Sequence, residues 1–309
     1  MARFSATGAA TAGFGLIGRE PSAVLVWGLV ILVALVTPCF GAVWLIFPDF
    51  AAFSGFAHPG GVSDEAAISQ IMQMQSKMML FNLLYWVGGT LVQSAIAAAV
   101  FRAILEPEQK GLAYLKLGAQ ELWLALVFLV MGVLAYIAFV AAAVIVAILA
   151  VIAYLIGAHS GTAAGVGASV LVAVVLGVAA GGALVWAMLR LSMAGPMTFT
   201  ERKFLLFESW TFTRGQAWPL LGMVLLLGLI IVALEVVLYA ILGVSAFAFG
   251  AGLVSRLGDL AHQPPQAWLS ALWPLVVGLA VVLSLLSGPA LALVFAPWAT
   301  VYRDLRATA

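Results

Sequence analysis

Glu235 is the one carboxylate set inside an apolar run of this chain, in LIIVALEVVLYAIL. An acid in that setting is a functional candidate because hydrocarbon does not solvate its charge. Two chemistries fit it: a relay for protons or cations, or an acid that is paired or snorkels to an interface. Along a helix rising 1.5 Å per residue, Glu235 lies about 26 Å beyond Trp218. With Trp218 at one interface, Glu235 falls near the opposite edge of the hydrocarbon. Lys77 and Arg256 lie at that same edge, and a Glu235, Arg256, Lys77 polar site turned into the bundle is the expectation. Asn82, Thr90 and Gln93 are further polar positions inside an apolar run, best suited to hydrogen bonds between helices. His58, His159 and His262 fall one in each of three polar connections on the Lys77 side. They are the only metal candidates, no two have i, i+4 spacing, and a zinc site needs three or four convergent ligands. No metal and no cofactor are expected. His-Glu-x-x-His, Gly-x-Ser-x-Gly and phosphate-loop signatures do not occur, and the GVGAS at 165–169 lacks a third glycine.

The elements that hold these residues follow from composition. The 309 residues are 65% hydrophobic and 8% charged, against roughly 25% charged in soluble domains. Several apolar runs exceed the roughly 20 residues that cross a bilayer core as a helix. Net charge is +1, which gives no electrostatic case for nucleic acid. A single cysteine, Cys39, excludes an internal disulfide.

Six spans are predicted, at about 22–47, 78–105, 123–157, 169–189, 218–253 and 268–302. Pro48 ends the first and Pro107 the second, while Pro38, Pro289 and Pro297 are expected to bend their helices. The second span should begin as a helix within the 49–77 connection, capped by Ser63. Three short amphipathic surface helices are expected: one in residues 1–20, one over 108–121 with Leu112, Leu115 and Ala119 on one face, and one over 198–214. The last is argued from a Thr198/Glu201 capping box and a Phe204, Phe207, Trp210 face. Gly177 and Gly181 form a small-xxx-small face expected to pack the fourth span inside the bundle.

Of the 13 Lys and Arg residues, all but Lys77 and Arg256 fall on one side of the six spans. By the positive-inside rule both termini are cytoplasmic, in a bacterial inner membrane. Trp27, Trp123, Trp218 and Trp298 then mark the inner interface, and Trp44, Trp268 and Trp273 the outer one. The even spans exit as Phe101-Arg102, Leu189-Arg190 and Tyr302-Arg303, which suggests three tandem hairpin units, 1–105, 106–193 and 194–309, within one membrane domain. Arg102, Arg190, Arg202, Lys203, Arg214 and Arg303 are candidates for anionic headgroups, each basic residue contributing on the order of 1 kcal/mol.

The pieces LIGREPSAVLVW, FRAILEPEQKGLAYLKLGAQELW, LRLSMAGPMTFTERKFLLFESWTFTRGQAW and PWATVYRDLR resemble a bacterial six-span family. That family is similar to the membrane domain preceding some glycerophosphodiester phosphodiesterases. The resemblance implies a fold and no activity, since the catalytic barrel with its acidic ligands and histidines is absent. The expected protein is an all-α polytopic membrane protein that meets lipid, a membrane-protein partner or a second copy through interfacial helices. A transporter or channel for a small or lipidic substrate is the second reading, and an intramembrane enzyme the third.

Overall fold

The computed structural model describes residues 4–45, 64–159, 161, 163–260, 263 and 265–307. Six helices among these are long and apolar enough to cross a membrane, and no strand occurs among the described residues. The chain is an all-α polytopic membrane protein. The first span is Pro21–Leu45, and the second Asp64–Leu105. The third is Ala119–His159 and the fourth Ala163–Leu191. The fifth is Ala217–Leu260 and the sixth Pro265–Ala307. Four of these run to 41–44 residues, about 60–65 Å at 1.5 Å per residue, so each outruns a hydrocarbon core of roughly 30 Å.

Local chemistry explains where these helices start, bend and stop. Proline at 21 opens the first span, where its missing N–H is no loss. A π turn at Leu32–Val36 precedes Pro38, whose ring disrupts the i→i−4 ladder and whose helix widens to accommodate it. Thr37 Oγ1 donates to Leu32 O at 2.9 Å within that turn. The second span stops at Leu105, two residues before Pro107, as the proline requires. The sixth stays helical through Pro274, Pro289 and Pro297.

Packing is concentrated at one end of the bundle, the end that holds Pro21, Leu105, Ala119, Leu191, Ala217 and Ala307. Trp27, Ile96, Phe101, Leu124, Phe199 and Ala296 are its centre. The Phe101 ring lies 5.9 Å from Phe199 and 6.1 Å from Phe295, and Phe295 stacks on Phe128 at 5.8 Å. Away from this end the third and fourth spans leave side chains such as Leu155, Ile156 and Val178 exposed. In water such surface would aggregate, whereas acyl chains solvate it. At the far end of the first and sixth spans, Trp44 and Trp273 stack at 5.8 Å.

The first and sixth spans meet through small residues. Ser284, Gly288, Ala292 and Ala296 recur every four residues on the buried face of the sixth. A Cβ at Gly28 would come within 2.7 Å of Ser284 O and 2.9 Å of Leu285 Cα, and one at Gly288 would strike Val24 O. Gly177 and Gly181 are the pair expected to do this work, yet a Cβ at either would meet nothing within 4 Å. Both lie on exposed positions of the fourth span. Spacing alone identifies a face of small residues, and here that face is turned away from the bundle.

The surface helices are shorter than their periodicity suggests. Residues 4–20 form two helices, Ala6–Ala10 and Ala12–Arg19, docked on the fifth and sixth spans rather than lying apart. Ser5 caps the first by accepting from Gly8 N at 3.2 Å. Residues 106–118 are turns, not a helix, and Leu112 and Leu117 stand exposed. Helix Ala194–Glu201 starts ahead of Thr198 and closes on Arg202 in the left-handed region at φ 55°. A second helix, Glu208–Phe212, follows. Thr198 is therefore interior to its helix, and its Oγ1 accepts from Leu205 N at 3.1 Å, pinning the returning chain instead of capping.

Candidate functional site

The packed end holds two buried arginines, each in the last turn of an even span. Arg102 is fully buried. Its Nη2 donates to Glu121 Oε1 at 2.5 Å, its Nη1 donates to the carbonyl of Tyr114, and its guanidinium lies over the Phe199 ring at 5.4 Å. Gln120 links the same groups, with Oε1 3.5 Å from Arg102 Nη2 and Nε2 donating to Phe199 O at 3.2 Å. Glu121 sits in the first turn of the third span, where a carboxylate also complements the helix dipole.

Arg102 decides the shape of the connection above it. Ala113 and Tyr114 take positive φ of 52° and 60°, which non-glycine residues adopt only when surrounding contacts enforce it. Those contacts are Trp27 Nε1 donating to Ala113 O at 2.9 Å, Arg102 donating to Tyr114 O, and Tyr114 Oη donating to Glu20 Oε1 at 3.1 Å. These hydrogen bonds override the helical periodicity of 108–121. They also place Trp27 in the core rather than at the interface, and they enclose Arg102 so that it is not available to headgroups. Outside, Lys110 Nζ donates to Glu20 Oε1 at 2.8 Å. The Lys110 ammonium holds the Glu20 carboxyl below its ordinary value, and Glu20 in turn raises Lys110. Burial raises the Tyr114 phenol, with the Glu20 hydrogen bond adding to it.

Arg190 ends the fourth span and is built differently. Its carbonyl, one of those a helix C-terminus leaves unbonded, accepts from Ser209 Oγ at 2.9 Å and Thr213 Oγ1 at 3.0 Å. Ser209 Oγ also accepts from Met193 N at 3.1 Å. These bonds staple helix Glu208–Phe212 to the end of the span and bring Trp210 beside it. The Arg190 guanidinium lies 5.1 Å from the Trp210 ring centroid and 5.8 Å from that of Trp186, and the two indoles meet edge to face at 4.9 Å. The residue is 8% exposed. Its Nε, like that of Arg102, is buried without an acceptor, but unlike Arg102 its guanidinium has no ion pair or hydrogen bond among the described residues.

The remaining headgroup candidates are exposed. Arg202, Lys203 and Arg214 lie on the surface with no carboxylate bonded to them among the described residues, and Phe207, Trp210 and Trp218 are exposed in the same stretch. Arg303 is also exposed, and its ion pair among the described residues is with its neighbour Asp304, at 3.5 Å. Arg306 reaches Glu201 at 3.6 Å. The three span-exit arginines, Arg102, Arg190 and Arg303, thus have three different environments.

The Glu235 site is not assembled as expected. Glu235 is exposed on the fifth span, with no polar partner among the described residues, rather than turned into the bundle. Lys77 is exposed on the second span, whose main neighbours are the first, third and sixth spans. The side chain of Arg256 lies outside the described residues. Asn82 Nδ2 donates to Met78 O and Thr90 Oγ1 to Trp86 O, so both bond within their own helix rather than across helices. His159 ends the third span, exposed, while His58 and His262 lie outside the described residues. Among the described residues no three His, Cys, Asp or Glu side chains come together.

Glu121, Trp186, Ser209 and Thr213 are the site residues that sequence reasoning passed over. An acid at the entry of one span, opposite an arginine at the exit of the span before, is the signal that points to Glu121. No protein-family model, curated protein or solved structure matches the chain.

Proposed function

We propose that this is a non-enzymatic integral protein of the bacterial inner membrane, termini cytoplasmic, that engages anionic lipid headgroups through the connection between its fourth and fifth spans. The observation that carries this reading is the surface of 202–218. Arg202, Lys203 and Arg214 are exposed there without carboxylate partners among the described residues, and Phe207, Trp210 and Trp218 are exposed among them. Cations beside amphipathic rings suit the headgroup layer, where anionic lipid attracts the charge and the indoles sit between water and hydrocarbon.

The test is a triple substitution, Arg202→Gln, Lys203→Gln and Arg214→Gln, in protein reconstituted into nanodiscs of phosphatidylcholine with graded phosphatidylglycerol. Enrichment of fluorescent phosphatidylglycerol around the protein should fall in the variant. Equal enrichment in both proteins rejects the reading.

A transporter reading has one observation of its own. A crevice of about 540 Å³ between the first, second and sixth spans is lined by Asn82, Thr90, Gln93 and Ser287 among apolar groups. Substrate-dependent flux in liposomes that is lost in Gln93→Leu favours it.

A further inference from the structure

We infer that Arg190 is the phosphate-binding residue of a single-lipid site, which holds an anionic glycerophospholipid with an acyl chain in the cleft between the fourth and fifth spans. The inference rests on the lipid-engaging reading above and names the residue and the ligand.

The charge comes first. Burying a guanidinium without an anion is costly, and at Arg102 the chain meets that cost with Glu121. At Arg190 it provides two indole faces and no carboxylate among the described residues. Cation–π contacts of this kind contribute about 0.5–2 kcal/mol, which falls short of what an unpaired buried charge requires. The planar guanidinium fork matches two phosphate oxygens. An anion at Arg190 supplies the missing partner.

The cleft identifies the source of that anion. Fourth and fifth spans leave between them a groove of about 330 Å³, lined by Gly182, Val185, Trp186, Leu189, Trp218 and Leu221. Trp186 belongs to both features: it lies beside the guanidinium and it lines the groove. Val185 and Leu189 also border a second apolar cleft of about 470 Å³ that reaches Phe128, Phe295 and Trp298. A free phosphate ion has no use for either apolar space, whereas a phospholipid joins a phosphate to acyl chains that such spaces can hold. The staple from Ser209 and Thr213 to Arg190 O fixes the headgroup end of the site without spending any guanidinium nitrogen.

Native mass spectrometry of protein extracted in mild detergent and titrated with phosphatidylglycerol, phosphatidylcholine or inorganic phosphate tests this. Wild type should retain one phosphatidylglycerol well above the others. Arg190→Gln should weaken that single binding about tenfold or more, since charge-assisted hydrogen bonds are lost. Gly182→Phe should weaken it too by filling the groove. A Cβ at Gly182 meets nothing within 4 Å, so the backbone there accepts a side chain, and a wild-type unfolding transition for Gly182→Phe verifies its fold independently of Arg190→Gln. Equal retention in Gly182→Phe and wild type, or equal retention in a folded Arg190→Gln, overturns the inference. So does competition by millimolar inorganic phosphate, which would mark a free-anion site. If the 202–214 triple variant loses its lipid preference while Arg190→Gln and Gly182→Phe do not, this inference fails and the broader reading stands. If wild type itself shows no preference for anionic lipid, both fail.

Discussion

Arg102 and Arg190 occupy the same place in the second and fourth spans, in the last turn and among aromatic rings. Arg102 is paired from within the chain: Glu121 neutralises it, the Tyr114 carbonyl accepts from it, and the loop above closes over it, although its Nε, like that of Arg190, is buried without an acceptor. Arg190 receives only the faces of Trp186 and Trp210, and its guanidinium has no ion pair or hydrogen bond among the described residues. Burial is nearly the same at both positions, so burial does not distinguish a latch from a binding site. What distinguishes them is whether the chain itself supplies the opposite charge.

The largest effect is expected from breaking the internally paired side of this contrast. Glu121→Ala leaves Arg102 charged and fully enclosed, and losing one partner of a buried pair costs about 3–5 kcal/mol. Thermal unfolding in detergent should fall sharply for Glu121→Ala. A wild-type transition would show that Arg102 is solvated by some other route.

Glycines repeat the contrast between what faces inward and what faces lipid. Gly288→Leu drives a side chain into the backbone of the first span at Val24, and overpacking of this kind costs about 1–3 kcal/mol. Gly177→Leu extends into open space and should change stability by no more than about 0.5 kcal/mol. Matched unfolding curves for the pair decide this. A larger loss from Gly177→Leu would place the fourth span's packing face where the structure does not.

A smaller effect separates the two centres by pH. The Glu20–Lys110 contact supports the loop above Arg102, and nothing comparable stands beside Arg190 among the described residues. Because Lys110 lowers the Glu20 pKa, the contact stabilises the fold fully above the ordinary carboxylate value of 4.5. That contribution is lost as pH falls through the lowered folded value. The raised Lys110 value puts its own loss above 10.5, so neutral pH is a plateau. Lys110→Ala should therefore lower stability slightly near pH 7, and the difference from wild type should vanish in acid. A difference that persists below that window would assign the effect of Lys110 to packing. Glu235→Gln, at an exposed carboxylate without a described partner, should shift the unfolding midpoint least of all.

Much of this arrangement is visible in the sequence, and the parts that are not share a cause. Six spans follow from apolar length and from Pro107, because lipid forces each backbone segment to satisfy itself. The helix running from the 64–77 region into the second span is equally legible. The true course of 108–121 and 198–214 is not, because Arg102, Trp27 and Thr198 draw backbone groups of those segments out of the helical pattern. Gly28 and Gly288 lie on different spans, and no local spacing pairs them. Partnership across helices also separates Arg102 from Arg190: the two look alike in sequence, and only Glu121 on the next span tells them apart.

The most direct test of the central claim compares the unfolding midpoint of wild type and Arg190→Gln in phosphatidylcholine nanodiscs with and without phosphatidylglycerol. Lipid that binds only the folded state raises its stability by mass action. The account predicts that phosphatidylglycerol raises the midpoint of wild type and that Arg190→Gln loses most of this rise. An equal rise in both proteins would contradict it.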